Sequence, residues 1–121
     1  MNSWIKREGG KVTGQISVYT YQDKNHPQDN VWIAYCPELD ITGCGFSEDE
    51  ARESFKIALN DYMEYALTEG TLEEDLFAHG WRKDEVGKLQ EPPFGSKQSN
   101  EMLQSVLCIP SFNKNPMPIF V

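Results

Sequence analysis

Val31-Trp32-Ile33-Ala34-Tyr35-Cys36-Pro37-Glu38-Leu39-Asp40-Ile41-Thr42-Gly43-Cys44-Gly45-Phe46-Ser47-Glu48-Asp49-Glu50-Ala51 is the stretch that decides the fold. Val31 to Cys36 reads as a strand that is apolar on both faces. Val31, Ile33 and Tyr35 point one way, and Trp32, Ala34 and Cys36 the other, because successive side chains alternate across a sheet. Pro37 removes a backbone donor and ends the ladder. Ile41 to Phe46 reads as a short following strand, loosened by Gly43 and Gly45, which suit a twist or bulge. Ser47-Glu48-Asp49-Glu50 is a capping box, and the acids at 48 to 50 suit the positive end of a helix dipole.

Working outward, Lys11 to Gln22 alternates, with Val12, Ile16 and Val18 on one face and Tyr19 and Tyr21 on the other. This predicts a strand. Asp23 to Asn30 is a polar connection. Downstream of Ser47, the residues Ala51, Phe55, Ala58, Leu59, Tyr62, Met63 and Ala66 recur at helical spacing. They predict a helix to about Thr68 with Gly70 as its stop, and they place Phe55, Leu59 and Met63 in the core. Thr71-Leu72-Glu73-Glu74 resembles a second capping box opening a short helix that ends before Gly80.

The expected fold is therefore α+β: a three-stranded antiparallel sheet over residues 11 to 46, one main helix across it and a short second helix. Residues 1–80 form that domain. Residues 81–121 are an extension that packs on the sheet or serves oligomerisation. Ser105 to Ile109 reads as an added strand or as the end of a short helix begun near Ser99, and Pro110, Pro116 and Pro118 keep the tail extended.

The chain has 121 residues and a formal net charge of −8. Between Ser47 and Asp75 there are ten acids and only two bases, Arg52 and Lys56, so this segment holds the whole net charge. Such a field repels phosphate backbones and attracts basic partners, besides keeping a helix face solvated. Nothing in the chain resembles a membrane span or a secretory leader. The odd set Cys36, Cys44 and Cys108 lacks metal-ligand spacing and reads as reduced thiols, so a cytoplasmic protein is expected.

The chemistry-bearing residues are sparse. Glu38 and Asp40 are the carboxylates at a strand end, too few for a paired-metal site. His26 falls in a polar loop and His79 at a helix end, so neither stands beside a Cys or Ser nucleophile. Gly43-Cys44-Gly45 is too short for a phosphate loop and lacks its lysine. Binding is expected rather than catalysis, with no cofactor and no metal.

Residues 31 to 67 resemble the HicB-like antitoxin family. The resemblance rests on Trp32-Ile33-Ala34-Tyr35-Cys36-Pro37-Glu38-Leu39, then Gly43-Cys44-Gly45-Phe46-Ser47, then Glu50-Ala51 at the start of a helix. With the preceding strand it covers about half the chain. It implies a partial ribonuclease-H-like fold and an antitoxin that covers a small basic, mRNA-cleaving HicA-like toxin. It also implies dimers or higher oligomers. Many family members carry a C-terminal DNA-binding domain. This chain departs from them, since its tail after Gly80 shows no helix pair and carries five bases against four acids. Direct DNA binding is therefore not expected. An orphan family member, acting as a structural or regulatory homo-oligomer, is the alternative.

The candidate partner-binding residues are Glu38 and Asp40, which lie in the signature, and Glu73, Glu74 and Asp75, where acids cluster. The candidate oligomer-interface residues are Tyr19 and Tyr21, which with either Trp32 or Tyr35 form an aromatic patch on a sheet face, and Val106, Ile109 and Phe120 of the apolar tail.

Overall fold

A computed structural model describes residues 3–23, 31–91 and 113–120. The described elements are β1 (Trp4–Glu8), β2 (Lys11–Gln22), β3 (Trp32–Cys36), β4 (Ile41–Gly45), α1 (Glu48–Glu69), α2 (Leu72–Ala78), β5 (Arg82–Lys83), β6 (Leu89–Gln90) and β7 (Asn113–Phe120). Among the described residues the fold is α+β, with an antiparallel sheet and two helices.

The expected three strands, β2 to β4, pair in sequence order, but they are part of a sheet that has seven strands among the described residues. The expectation of three missed β1, β5 and β6. Trp4–Glu8 holds three charged residues in five and has little propensity of its own. It is a strand because the tight Gly9-Gly10 connection folds it back onto Lys11–Gln15. Gly9 adopts φ 60°, which such hairpin turns require. β5 and β6 are two-residue strands, too short to leave a periodic signal. The tail does add a strand, at Asn113–Phe120; Ser105 to Ile109 lies outside the described residues, as do His26 and Cys108.

The register fixes where each strand sits on β2. Residues 13–15 pair with both β1 and β7, and residues 19 and 20 pair with both β3 and β7. A residue has one partner per edge, so β7 takes one edge of β2 while β1 and β3 share the other, end to end. Pro116 and Pro118 lie opposite Ser17 and Gln15. Ser17 directs its N–H the other way, to Ser3 Oγ at 3.2 Å. The prolines thus occupy positions whose N–H would face outward, the usual place for proline in an edge strand, and they blunt that edge against further pairing.

α1 begins as the capping box requires. Ser47 Oγ accepts from Glu50 N at 3.1 Å, while the Glu50 carboxylate reaches one residue further back, to Phe46 N at 2.7 Å. Gly70 ends α1 in the left-handed conformation at φ 70°. Phe55, Leu59 and Met63 are buried, with Ala51 and Ala66 beside them. Thr71 differs from the expectation. Its side chain makes no capping bond, and its ψ of 3° lies outside the extended conformation an N-cap needs.

Gly43 and Gly45 serve a different purpose from the twist or bulge expected of them. The β3–β4 register is unbroken from Cys36–Ile41 to Trp32–Gly45, and neither glycine has positive φ. Both face α1 instead. A Cβ at Gly43 would sit 2.7 Å from Phe55 Cα and 2.8 Å from Ala51 O; one at Gly45 would sit 2.8 Å from Ala51 N. The helix backbone lies directly on β4, and only glycine leaves room for it.

The main core lies between the helices and one sheet face. Ile5, Val12, Ile16, Val18, Trp81, Leu89, Met117 and Ile119 join the α1 stripe there. The extension beyond residue 80 therefore contributes to the same core and sheet as the first 80 residues. Tyr19, with Tyr21 and Tyr35 against it, forms a small second cluster on the opposite face.

Candidate functional site

The five candidate partner-binding acids lie in two places, the β3–β4 turn and the first turn of α2, and they differ in environment. Glu38 is only 4% exposed. Its Oε2 accepts from Cys36 Sγ at 3.5 Å, and its Oε1 is buried with no hydrogen-bond partner among the described residues. Burial pushes the Glu38 carboxyl above its ordinary range, and the nearby Glu91 carboxylate adds to this while Lys114 opposes it. Asp40 is exposed at φ 55°, a left-handed conformation that Asp tolerates, and it accepts from Tyr35 Oη at 3.2 Å. Burial, reinforced by Asp40, pushes Tyr35 up to about 12, so its hydroxyl stays protonated and donates.

In α2, Glu73 pairs with Lys83 at 3.1 Å, Glu74 is exposed and Asp75 is half-buried. These three acids suit the positive end of the short helix. His79 closes α2, its Nδ1 lying 2.8 Å from the Asp75 carbonyl. At the other helix, Glu48 accepts from Thr20 Oγ1 at 3.0 Å and Asn113 Nδ2 at 3.4 Å, which ties the start of α1 to both β2 and β7.

Two features escaped sequence reasoning. The first is the solvent face of α1. Ile57 and Tyr65 are 59% and 66% exposed, and Glu53, Asp61 and Glu64 stand exposed on the same helix. Both apolar residues fall off the buried stripe, and that break in the periodicity was a readable signal.

The second is a buried polar notch. The shared edge of β2 passes from β1, which ends opposite Gln15, to β3, which begins opposite Tyr19. Ser3, Glu38, Trp81 and Glu91 close the gap. Glu91 N donates to Ser3 O at 3.1 Å, and Trp81 Nε1 donates to Glu38 O at 2.9 Å. Glu91 Oε2 is also buried without a hydrogen-bond partner among the described residues. No local pattern marks this notch, because its members come from opposite ends of the chain: Trp81 and Glu38 alone are 43 residues apart.

Of the oligomer-interface candidates, Tyr19 is fully buried within the chain and Tyr21 half-buried. Lys114 stands over the Tyr19 ring at 5.4 Å. Val106 and Ile109 lie outside the described residues, and Phe120 ends β7. Cys36 is buried, and its thiol is pushed well above its ordinary range by burial and then by Glu38, so it is a protonated core thiol rather than a nucleophile. Cys44 is exposed. Among the described residues, no three His, Cys, Asp or Glu side chains gather into a metal-binding group, and no helix is long and apolar enough to cross a membrane.

The arrangement thus presents an acidic, partly apolar helix surface and a buried polar notch that contains the Glu38 carboxyl. Compared with known protein families, with characterised proteins and with solved structures, the chain finds no match in any of the three.

Proposed function

We propose that this chain is a HicB-like antitoxin or antitoxin-like binding module on a partial ribonuclease-H-like fold. Its acidic helical face covers a small basic, mRNA-cleaving toxin in the cytoplasm, and it acts without cofactor or catalysis. The observation that carries this reading is the solvent face of α1, where Ile57 and Tyr65 stand exposed among Glu53, Asp61 and Glu64. Exposed apolar side chains within a charged surround suit a protein contact, and the negative sign selects a basic partner. Glu73, Glu74 and Asp75 extend the field onto α2 and steer the encounter. Asp40 is available at the surface, whereas the Glu38 carboxylate is buried and acts only through the shape of its turn.

The test is binding to a short basic protein encoded beside this chain's own gene; absence of such a gene or partner moves the reading to the orphan oligomer. Affinity falls as salt rises, because exposed charges are screened over about 10 Å at 0.1 M. Replacing Glu73, Glu74 and Asp75 with Lys slows association, and Ile57→Ala with Tyr65→Ala speeds dissociation. Unchanged rates and affinity at low salt would remove the mechanism.

The second reading is an orphan homo-oligomer without a toxin. It is favoured by the Tyr19, Tyr21 and Tyr35 cluster on the sheet face away from both helices. Light scattering at micromolar concentration, with and without the basic partner, separates the two. An oligomer that takes up a basic partner supports the antitoxin reading, an oligomer with no such partner supports the orphan, and a monomer counts against both.

A further inference from the structure

The β5–β6 segment joins the sheet where β6 pairs with β1, and its two ends meet the rest of the fold at a polar joint. Trp81, just before β5, donates its indole N–H to the Glu38 carbonyl in the β3–β4 turn. Glu91, just after β6, donates its amide to Ser3 O, and Ser3 Oγ in turn accepts from Ser17 N in the middle of β2. Two carboxylates lie near this joint. Glu38 Oε1 and Glu91 Oε2 are both buried with no hydrogen-bond partner among the described residues, and the Glu91 charge acts on Glu38 with like sign.

We propose that Glu38 is a proton-operated latch between the β3–β4 turn and the β5–β6 segment: it closes when its carboxyl holds a proton and loosens when that proton leaves. A neutral carboxyl in the joint removes the repulsion from Glu91 and can donate to a buried acceptor. An ionised one carries an incompletely solvated charge beside another of the same sign. Water entering as the segment opens relieves both. The groups that face Glu38 among the described residues are Cys36 from β3, Glu91 after β6 and Lys114 from β7. Cys36 stays neutral, and Lys114 moderates the repulsion.

The sign follows from the direction of the shift. Glu38 titrates above its ordinary value of 4.5 in the closed state. The latch is fully closed below that value, and its contribution is lost as pH rises through the folded titration. Two consequences distinguish this from general loosening. The change is confined to the joint, and it vanishes when residue 38 cannot ionise. Neither depends on any partner.

Hydrogen exchange by NMR on the full chain, from about pH 4 to about pH 8 and corrected for intrinsic rates, tests this. Protection of the Ser17 and Glu91 amides and of the Trp81 indole should fall as pH rises. The fall should be about tenfold for each pH unit that separates titration in the closed and open states. The Leu59 and Met63 amides of α1 should not follow. In Glu38→Gln the joint should keep its protection across the range. A joint whose protection is flat with pH in the wild type, or falls equally in Glu38→Gln, overturns the latch. Should Glu38→Gln fail to fold, Glu91→Gln decides: removing the opposing charge should reduce the fall, and an unchanged fall overturns the proposal.

Discussion

Gly43→Ala adds one methyl group where α1 lies on β4. The new Cβ would sit 2.7 Å from Phe55 Cα and 2.8 Å from Ala51 O, against the 3.4 Å at which ordinary van der Waals contact begins. Phe55 N lies nearer still, so the helix must retreat by more than about 0.7 Å at Phe55, since all three obstacles are backbone and cannot rotate away. Phe55 and Met63 are fully buried and Leu59 nearly so, and a 22-residue helix moves as a unit. Retreat opens a gap along the whole stripe. Overpacking of this kind costs about 1–3 kcal/mol, and the backbone obstruction puts Gly43→Ala at the upper end, about 3 kcal/mol. Gly10→Ala is the matched control. It is the same chemical change in the β1–β2 turn, with nothing within 4 Å of the new Cβ and no positive φ. It should be neutral or stabilise by about 0.4–1 kcal/mol, through the unfolded chain. Urea unfolding measures both as shifts in midpoint at constant slope. A Gly43→Ala protein within about 0.5 kcal/mol of wild type would refute the claim that helix and strand backbones are in contact there.

Helix capping gives a second pair of tests. Ser47→Ala should cost about 1 kcal/mol by leaving Glu50 N without its partner, whereas Thr71→Ala should be close to neutral because Thr71 makes no capping bond. Equal losses in thermal unfolding would contradict the difference between the two starts. Trp81→Phe keeps most of the buried ring but removes the donor to the Glu38 carbonyl, so it should cost about 1–3 kcal/mol in urea. A cost near zero would mean that the Trp81–Glu38 bond does not hold the β5–β6 segment.

Part of this protein is legible in local chemistry alone. The bounds of α1 follow from Ser47 and Gly70, each of which makes its capping bonds to residues within one turn of itself. The alternation in Lys11–Gln22 and Val31–Cys36 separated Val12, Ile16 and Val18 from Tyr19 and Tyr21, and Ala34 and Cys36 from Tyr35; which of these groups the helix covers came from the structure. In each case the signal is a period or a cap, written in neighbouring residues.

What the tertiary structure decided depends on which elements come to lie against one another. β1 is a strand because β2 lies beside it, and β7 is a strand with two prolines because its outer edge needs no donors. Gly43 and Gly45 look like turn residues in sequence, yet their lack of a side chain is needed for the approach of the helix backbone at Ala51 and Phe55. The same holds for Glu38. A carboxylate beside proline at a strand end reads as exposed. Its burial is set by Trp81 and Glu91, whose arrival at that turn no local pattern records. Charge clustering located the acidic helices, but only packing separated the Glu38 carboxylate held inside, and the half-buried Glu73 and Asp75, from exposed acids such as Asp61, Glu64 and Glu74.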